Sequence, residues 1–475
     1  MEKLNAKQMY RTLWRWHFYA GVFAIPFVII LSITGALYLF KPQIDAIHDS
    51  PYRNLTIDGP LATPEQQVAA AFAAVPNASF VAYELPREKN DAVNILLRKV
   101  GESIRVYVHP QTLAILAVEQ EDKRFLRIVH DIHGELLLGK TGSVLVELAA
   151  CWAIVLVMTG LYLWWPRSAK GIAGILYPRF SLKGRLFWRD LHSVTGIWIS
   201  FFVLFLLISG LPWALVWGSA FKEFRNITGT SVQKQDWIIA GQHNPVAVDE
   251  SEHAGHEMHA SGNNNRTTET PVDKNTAEES SEHHHHNANV SPSAFKIIVT
   301  LDSIVTQAKK LNLVYPVWVA PPSSRTPEWT ARSNTQNRPL RAEAYFSAQT
   351  GELVNYQDFS QRHVIDRAVG IGVAAHEGQL FGWSNQLLGL LTAMGLILVS
   401  ASGFIMWRKR APEGVLGAPP VIPEANLGKG FVVIILIAAV LLPMLGLSLI
   451  VILLLEKYIF SRWASAKNWL GLNNP

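Results

Sequence analysis

Four histidines in this chain stand in register with glycines. "HGELLLG" begins at His133 and "HEGQLFG" at His376, each just ahead of a long apolar run. Gly160 lies 27 positions after His133, and Gly403 lies 27 after His376. Trp164 and Trp407 each follow their histidine by 31 positions, in "TGLYLWWPR" and "SGFIMWRKR". A second pair matches in the same way. His17 is followed by Gly21 and Gly35 and His192 by Gly196 and Gly210, at offsets of 4 and 18 in both cases. The residue before the later glycine is small and hydroxylated each time, Thr34 and Ser209. A single histidine at a membrane surface needs no role beyond a hydrogen bond to water or headgroups. Four in register call for a common one.

Neutral imidazole is a metal ligand. Two imidazoles facing each other in a helix bundle suit bis-axial ligation of haem iron, for which histidine is a usual ligand. Two protein ligands leave no open position, which favours electron transfer over oxygen binding. Zinc is the rival metal, but it takes four ligands, or three plus water, and no cysteines or carboxylates complete such a set. With no C-x-x-C-H attachment motif, the expected cofactor is noncovalent haem b, two per chain. Glycines beside the histidines (Gly134, Gly196, Gly378) leave room for a bulky planar group.

These residues need elements to hold them. The chain has 475 residues, 49% hydrophobic and 17% charged, against about a quarter charged in an ordinary soluble protein. A bilayer core takes about 20 apolar residues per helix, and five runs qualify: 17–40, 143–165, 192–217, 385–407 and 431–455. Trp14, Trp16, Trp164, Trp165, Trp213, Trp217 and Trp407 mark their ends, the aromatic belt of a membrane interface. The first run is too long for a signal peptide, and no small-residue cleavage site follows it.

Basic residues crowd three short segments: Lys3, Lys7, Arg11 and Arg15; Arg167, Lys170, Arg179, Lys183, Arg185 and Arg189; and Arg408, Lys409 and Arg410. The positive-inside rule places these in the cytoplasm. The expected order is then a cytoplasmic N-terminus and first helix (1–40), an outward segment (41–142), a second helix (143–165), a cytoplasmic loop (166–191) and a third helix (192–217). A second outward segment (218–384), a fourth helix (385–407), a loop (408–430), a fifth helix (431–455) and a tail (456–475) follow. The fifth helix would leave the tail outside, which its Lys457, Arg462 and Lys467 argue against. The net charge of +5 is topogenic, and no nucleic-acid partner is read from it. Cys151 is the only cysteine, so no intrachain disulfide forms.

The outward segments are alike. "VYVHPQTLAIL" (106–116) and "AYFSAQTGELV" (344–354) each read as strand, tight turn, strand. "TPEQQVAAAFAAV", with Thr63 as N-cap and Pro next to it, and "TLDSIVTQAKKL" read as the helices before them. Helix, outward segment, helix therefore occurs twice, in parallel orientation, with a pseudo-twofold axis along the membrane normal. His17 faces His192 across that axis at the cytoplasmic surface, and His133 faces His376 at the outer one. Counting from His17 to Phe40 puts the two surfaces about 35 Å apart.

The four helix stretches, from "WRWHFYAGVFAIPFVIILSITGALYLF" through "HDIHGELLLGKTGSVLVELAACWAIVLVMTGLYLWW" and "WRDLHSVTGIWISFFVLFLLISGLPW" to "AAHEGQLFGWSNQLLGLLTAMGLILVSASGFIMW", resemble those of the PepSY-associated transmembrane family. The resemblance covers 10–410 apart from one insertion. The family includes iron-regulated inner-membrane proteins, among them periplasmic ferric-siderophore reductases with two haems. The resemblance implies two periplasmic PepSY-like α+β modules, His17, His192, His133 and His376 as axial haem ligands, and a ferric siderophore as acceptor. His130 also precedes the second helix, but its repeat counterpart is Val373, so His133 is preferred.

Two parts depart from the family pattern. One is the fifth helix with its tail (411–475). The other is a polar insertion, 251–290, whose composition cannot bury a core. It carries His253, His256, His259 and His283, His284, His285 and His286, and histidine-rich tracts bind divalent metals.

"GIGVAA" (370–375) lacks the setting of a dinucleotide fingerprint, and the cytoplasmic loops are too short for a flavin or nicotinamide domain. The electron donor is then a membrane quinol or a cytoplasmic reductase. Only Glu147 among the carboxylates falls in a span, which argues against a proton relay. Trp152, Trp198 and Tyr38 are candidates for a place between the two haem levels. The expectation is a multi-pass protein of a bacterial inner membrane, reducing ferric iron on the periplasmic side. The alternative is a non-enzymatic binder or sensor that takes copper or zinc through the histidine-rich insertion.

Overall fold

The computed structural model describes residues 2–166, 171–230, 299–324, 326–420, 429–460 and 462–472. The histidine-rich insertion lies outside them, so the expectations placed on His253, His256, His259 and His283 to His286 have no structural counterpart here.

Among the described residues, five helices are long and apolar enough to cross a membrane. Four of them form a ring: α1 (Glu2–Leu39), α5 (Gly139–Trp164), α6 (Gly184–Gly210) and α10 (Trp383–Arg408). α1 packs against α5 and α10, and α6 packs against the same two, so α1 and α6 lie on a diagonal. Ile33, Met158, Phe201 and Leu391 are exposed along these helices, a surface suited to hydrocarbon.

The apolar run 192–217 is not one helix. α6 stops at Gly210, a turn at Leu211–Trp213 follows, and α7 (Leu215–Ile227) sets off anew. Pro212 explains the break, because it has no N–H to give and its ring clashes with the preceding turn. Nor is the run 431–455 one helix. α11 (Lys429–Leu441) and α12 (Pro443–Leu455) are separated at Leu442. They form a hairpin: a Cβ on Gly446 would lie 3.3 Å from that of Ala439, seven positions back. The Phe431 ring lies tilted against Trp16, 5.7 Å between centroids. Beyond α12, the short α13 (Ala464–Leu470) returns to the same end of α1, where the Tyr19 hydroxyl donates to Leu470 O (2.6 Å) and Arg15 to Gly471 O (2.8 Å). The tail therefore ends on the side where α1 begins. This removes the conflict that a single fifth span posed for its basic residues.

The two outward segments, expected as separate units, give four strands each to one antiparallel sheet. The first supplies β1 (Ser79–Glu84), β2 (Val93–Lys99), β3 (Glu102–Val108) and β4 (Ile115–Gln120). The second supplies β5 (Val317–Ala320), β6 (Trp329–Ser333), β7 (Ala342–Phe346) and β8 (Leu353–Asp358). The order is β4-β3-β2-β1-β5-β6-β7-β8, joined where Tyr83 pairs with Val319 and Glu84 with Trp318.

Past the short α2 (Lys41–His48), two helices, α3 (Pro64–Ala74) and α8 (Leu301–Lys310), pack together against this sheet. Val68, Ala71, Ile304, Val305 and Ala308 share one core with Ile95, Val106, Val319 and Ala344. Thr63 caps α3 in a capping box with Gln66, and Thr300 caps α8. Their first turns also cap each other: Glu65 N donates to Asp302 Oδ1 (2.9 Å) and Leu301 N to Glu65 Oε1 (3.2 Å). Acceptors at helix N-termini satisfy donors that have no intrahelical partner.

Candidate functional site: two histidine levels inside the helix ring

His17 projects from α1 and His192 from α6, and the two rings meet inside the four-helix ring. Their centroids are 6.3 Å apart and their planes nearly perpendicular at 87°. Each Nδ1 is turned outward to a neighbouring helix. His17 Nδ1 is 2.9 Å from Thr159 Oγ1 on α5, and His192 Nδ1 is 2.9 Å from Val399 O and 3.3 Å from Ser402 Oγ on α10. Nε2 is the ring nitrogen that these bonds leave over.

That spacing fits a shared metal. Metal–imidazole bonds run to about 2.0–2.1 Å, and a ring centre lies roughly 1.1 Å from its nitrogen for bonds of ordinary length. Two such imidazoles in line across one metal have centroids about 6.3 Å apart. Among the described residues, no three His, Cys, Asp or Glu side chains gather as a metal site. A metal held by these two imidazoles would need further ligands, such as those that a porphyrin gives to haem iron.

The second level lies on the sheet side. His133 lies in the last turn of α4 (Phe125–Glu135), and His376 is the last residue of α9 (Val364–His376). Both short helices precede a membrane helix and turn tightly into it. Leu136 and Leu137 adopt the left-handed conformation after α4, and Gly378 (φ 75°) does so after α9. These turns were not legible in the sequence, which ran each histidine straight into its span. Burial, with the charge of His376 and His130, pushes the His133 imidazole down to about 3, and burial pushes His376 down to about 4. Both are therefore neutral near pH 7, as a metal ligand must be. The indole of Trp213 sits 6.1 Å from the His376 ring, a neighbour the sequence did not single out.

One pattern serves all four histidines. His133 Nδ1 is 3.0 Å from Thr34 Oγ1 on α1, and His376 Nδ1 is 2.9 Å from Ser209 Oγ on α6. In every case the next residue is a glycine against the ring's Cε1. A Cβ would lie 3.1 Å away at Gly35 (His133), 3.2 Å at Gly160 (His17), 3.5 Å at Gly210 (His376) and 3.4 Å at Gly403 (His192). Thr34 and Ser209 stand out by sequence spacing. Thr159 and Ser402 were missed, although "TG" and "SG" occupy the same place before Gly160 and Gly403.

A family model for the PepSY-associated TM region matches residues 14–410. The chain belongs to this family. The match takes in all four histidines and all four Ser/Thr–Gly pairs, and stops at the end of α10. Among curated proteins, none matches the chain.

Other residues of this PepSY-associated TM chain fall into place around the two levels. His130 is exposed, lies beside Tyr38 (5.7 Å between ring centroids) and bonds Asp131 (3.3 Å). Glu147 binds backbone amides. Its carboxylate accepts from Val216 N (2.7 Å) and Trp217 N (3.0 Å), capping the N-terminus of α7 from outside. Of the aromatic candidates for a place between the levels, Trp198 is 63% exposed and donates to Leu176 O, and Trp152 packs with Cys151 and Leu445.

The levels are also closer than counting to Phe40 implied. His133 docks on Thr34, 17 positions beyond His17 along α1, which puts the levels about 25 Å apart along the axis.

Proposed function

We propose that this chain carries electrons across a membrane to ferric iron through two noncovalent b-type haems. His17 and His192 would hold one, and His133 and His376 the other. Bound there, haem supplies a one-electron couple with no open coordination position. The observation that carries this reading is the His17–His192 pair: 6.3 Å between centroids, each Nδ1 engaged by a neighbouring helix.

We infer further that the ring and sheet descend from a duplicated unit of helix, outward segment and helix. The sheet order, mirrored about β1 and β5, and the shared hydroxyl–glycine pattern support it. The basic residues at the start of α1 and the end of α10 support a cytoplasmic N-terminus in a bacterial inner membrane, with the sheet in the periplasm.

The electron source is a membrane quinol or a cytoplasmic reductase. A quinol gives up two electrons and two protons as it becomes quinone, which reduces two Fe(III) to Fe(II). The acceptor is a ferric siderophore, by resemblance to family members that reduce one. Reduction weakens the hold of hard oxygen ligands and frees the iron.

An absorption spectrum of the purified chain, oxidised and then reduced by dithionite, tests the reading. The sharp bands of low-spin b-type haem are expected on reduction. A chain expressed with ample haem supply that shows none would overturn it, and would leave the sheet as a binding or sensing domain.

A further inference from the structure

Each of the four hydroxyls beside the histidines has already given its proton away. Thr34 donates to Ile30 O (2.8 Å), Thr159 to Val155 O (2.7 Å), Ser209 to Phe205 O (2.7 Å) and Ser402 to Leu398 O (2.7 Å). Such back-bonding is ordinary for Ser and Thr in helices, and by itself means nothing. Its consequence here is that the oxygen facing each imidazole can only accept. The carbonyl three residues before each hydroxyl also faces the same imidazole: Leu31 for His133, Leu156 for His17, Leu206 for His376 and Val399 for His192. A carbonyl has no proton to give. With each hydroxyl proton on its own helix, Nδ1 carries the hydrogen and Nε2 is bare.

We propose that the four Ser/Thr–Gly pairs, Thr34–Gly35, Thr159–Gly160, Ser209–Gly210 and Ser402–Gly403, are positioning elements that lock the histidines as metal ligands. The hydroxyl and its carbonyl fix the tautomer. The glycine lets the ring edge approach the helix and so fixes its rotation. This rests on the haem reading above and adds to it a means of tuning. A hydrogen bond to Nδ1–H makes the imidazole a stronger donor, which favours the ferric state and lowers the midpoint potential.

The four sites are not equal. For three histidines the hydroxyl oxygen lies at 2.9–3.0 Å from Nδ1. His192 instead has Val399 O at 2.9 Å and Ser402 Oγ at 3.3 Å. Its bond is chiefly to the backbone, which no side-chain substitution removes.

The test is a redox titration of the full chain with haem bound, comparing Thr34→Val, Thr159→Val, Ser209→Ala and Ser402→Ala. The first three should raise the midpoint potential of the level they serve. Tenfold in the relative affinity for the two oxidation states corresponds to about 59 mV for a one-electron couple. Ser402→Ala should shift it least, and Thr34→Ser and Thr159→Ser should restore the parent value. Unmoved potentials in the first three variants, or an equal shift in the fourth, would overturn the proposal while leaving the haems in place. Nitrogen-15 shifts of the histidine rings in the haem-free chain give an independent reading. They should report protonated Nδ1 in the parent and a mixture of tautomers in Thr34→Val. A parent already mixed would overturn the proposal whether or not haem binds.

Discussion

The two histidine levels are built differently. At one, both imidazoles ride on membrane-crossing helices, α1 and α6, and their partners lie on α5 and α10. At the other, both ride on short helices that belong as much to the outward domain as to the ring. Arg124, at the N-cap of α4, bonds the Tyr107 hydroxyl (2.6 Å) and lies within 3.4 Å of Asp49 and Glu119. α9 is held by a fully buried Arg225, whose guanidinium grips Asp366 with two bonds of 2.8 and 2.9 Å. The first level is positioned by the bundle alone. The second is positioned jointly by bundle and sheet, so damage to the outward domain should reach one level and spare the other.

Replacing the ligands gives the largest effect. His192→Ala should lose the haem of the ring-borne level and keep the other; His376→Ala should do the reverse. If the levels act in series, with the sheet-side level delivering to the acceptor, a reductant added from the sheet side should rescue acceptor reduction in His192→Ala but not in His376→Ala. Full acceptor reduction by His376→Ala, driven by the natural donor, would show that the sheet-side level is not needed for delivery.

Arg225→Met separates the levels without touching a ligand. It leaves Asp366 buried without its partner, a loss of about 3–5 kcal/mol, and should loosen α9. Haem at the sheet-side level should bind more weakly while the ring-borne level keeps its spectrum. Equal weakening of both would mean that α9 is not an independent support.

Glu147→Gln should cost less, about 1–2 kcal/mol, since an amide oxygen can still accept at the start of α7 but the charge is gone. Thermal unfolding should register it with little change in either haem. Smallest of all, deletion of 251–290 should leave the haem spectrum unchanged. That segment falls between α7 and α8 in the sequence and includes none of the four histidines or their Ser/Thr–Gly pairs. Loss of haem on deletion would show that the insertion supports α9 or α10.

The sequence carried the histidines, their glycines and the four ring helices, because hydropathy and spacing report the face that a helix turns inward. It did not carry the breaks at Pro212 and Pro443. A hydropathy window averages across a proline, so both runs read as single spans. The partners of the histidines were half legible. Thr34 and Ser209 follow His17 and His192 at a fixed offset, but the imidazoles they hold are His133 and His376, 99 and 167 positions further along. The Arg225–Asp366 pair spans 141 positions, and the β1–β5 junction links two segments through two residue pairs. Contacts that distant leave no local pattern.

The central claim, a haem between each histidine pair, is tested most directly by pyridine haemochrome analysis of the purified full-length chain against its protein concentration. The account predicts two b-type haems per chain, falling to one in either His192→Ala or His376→Ala. A parent ratio of one would leave a histidine pair without its role, and a ratio of zero would contradict the account altogether.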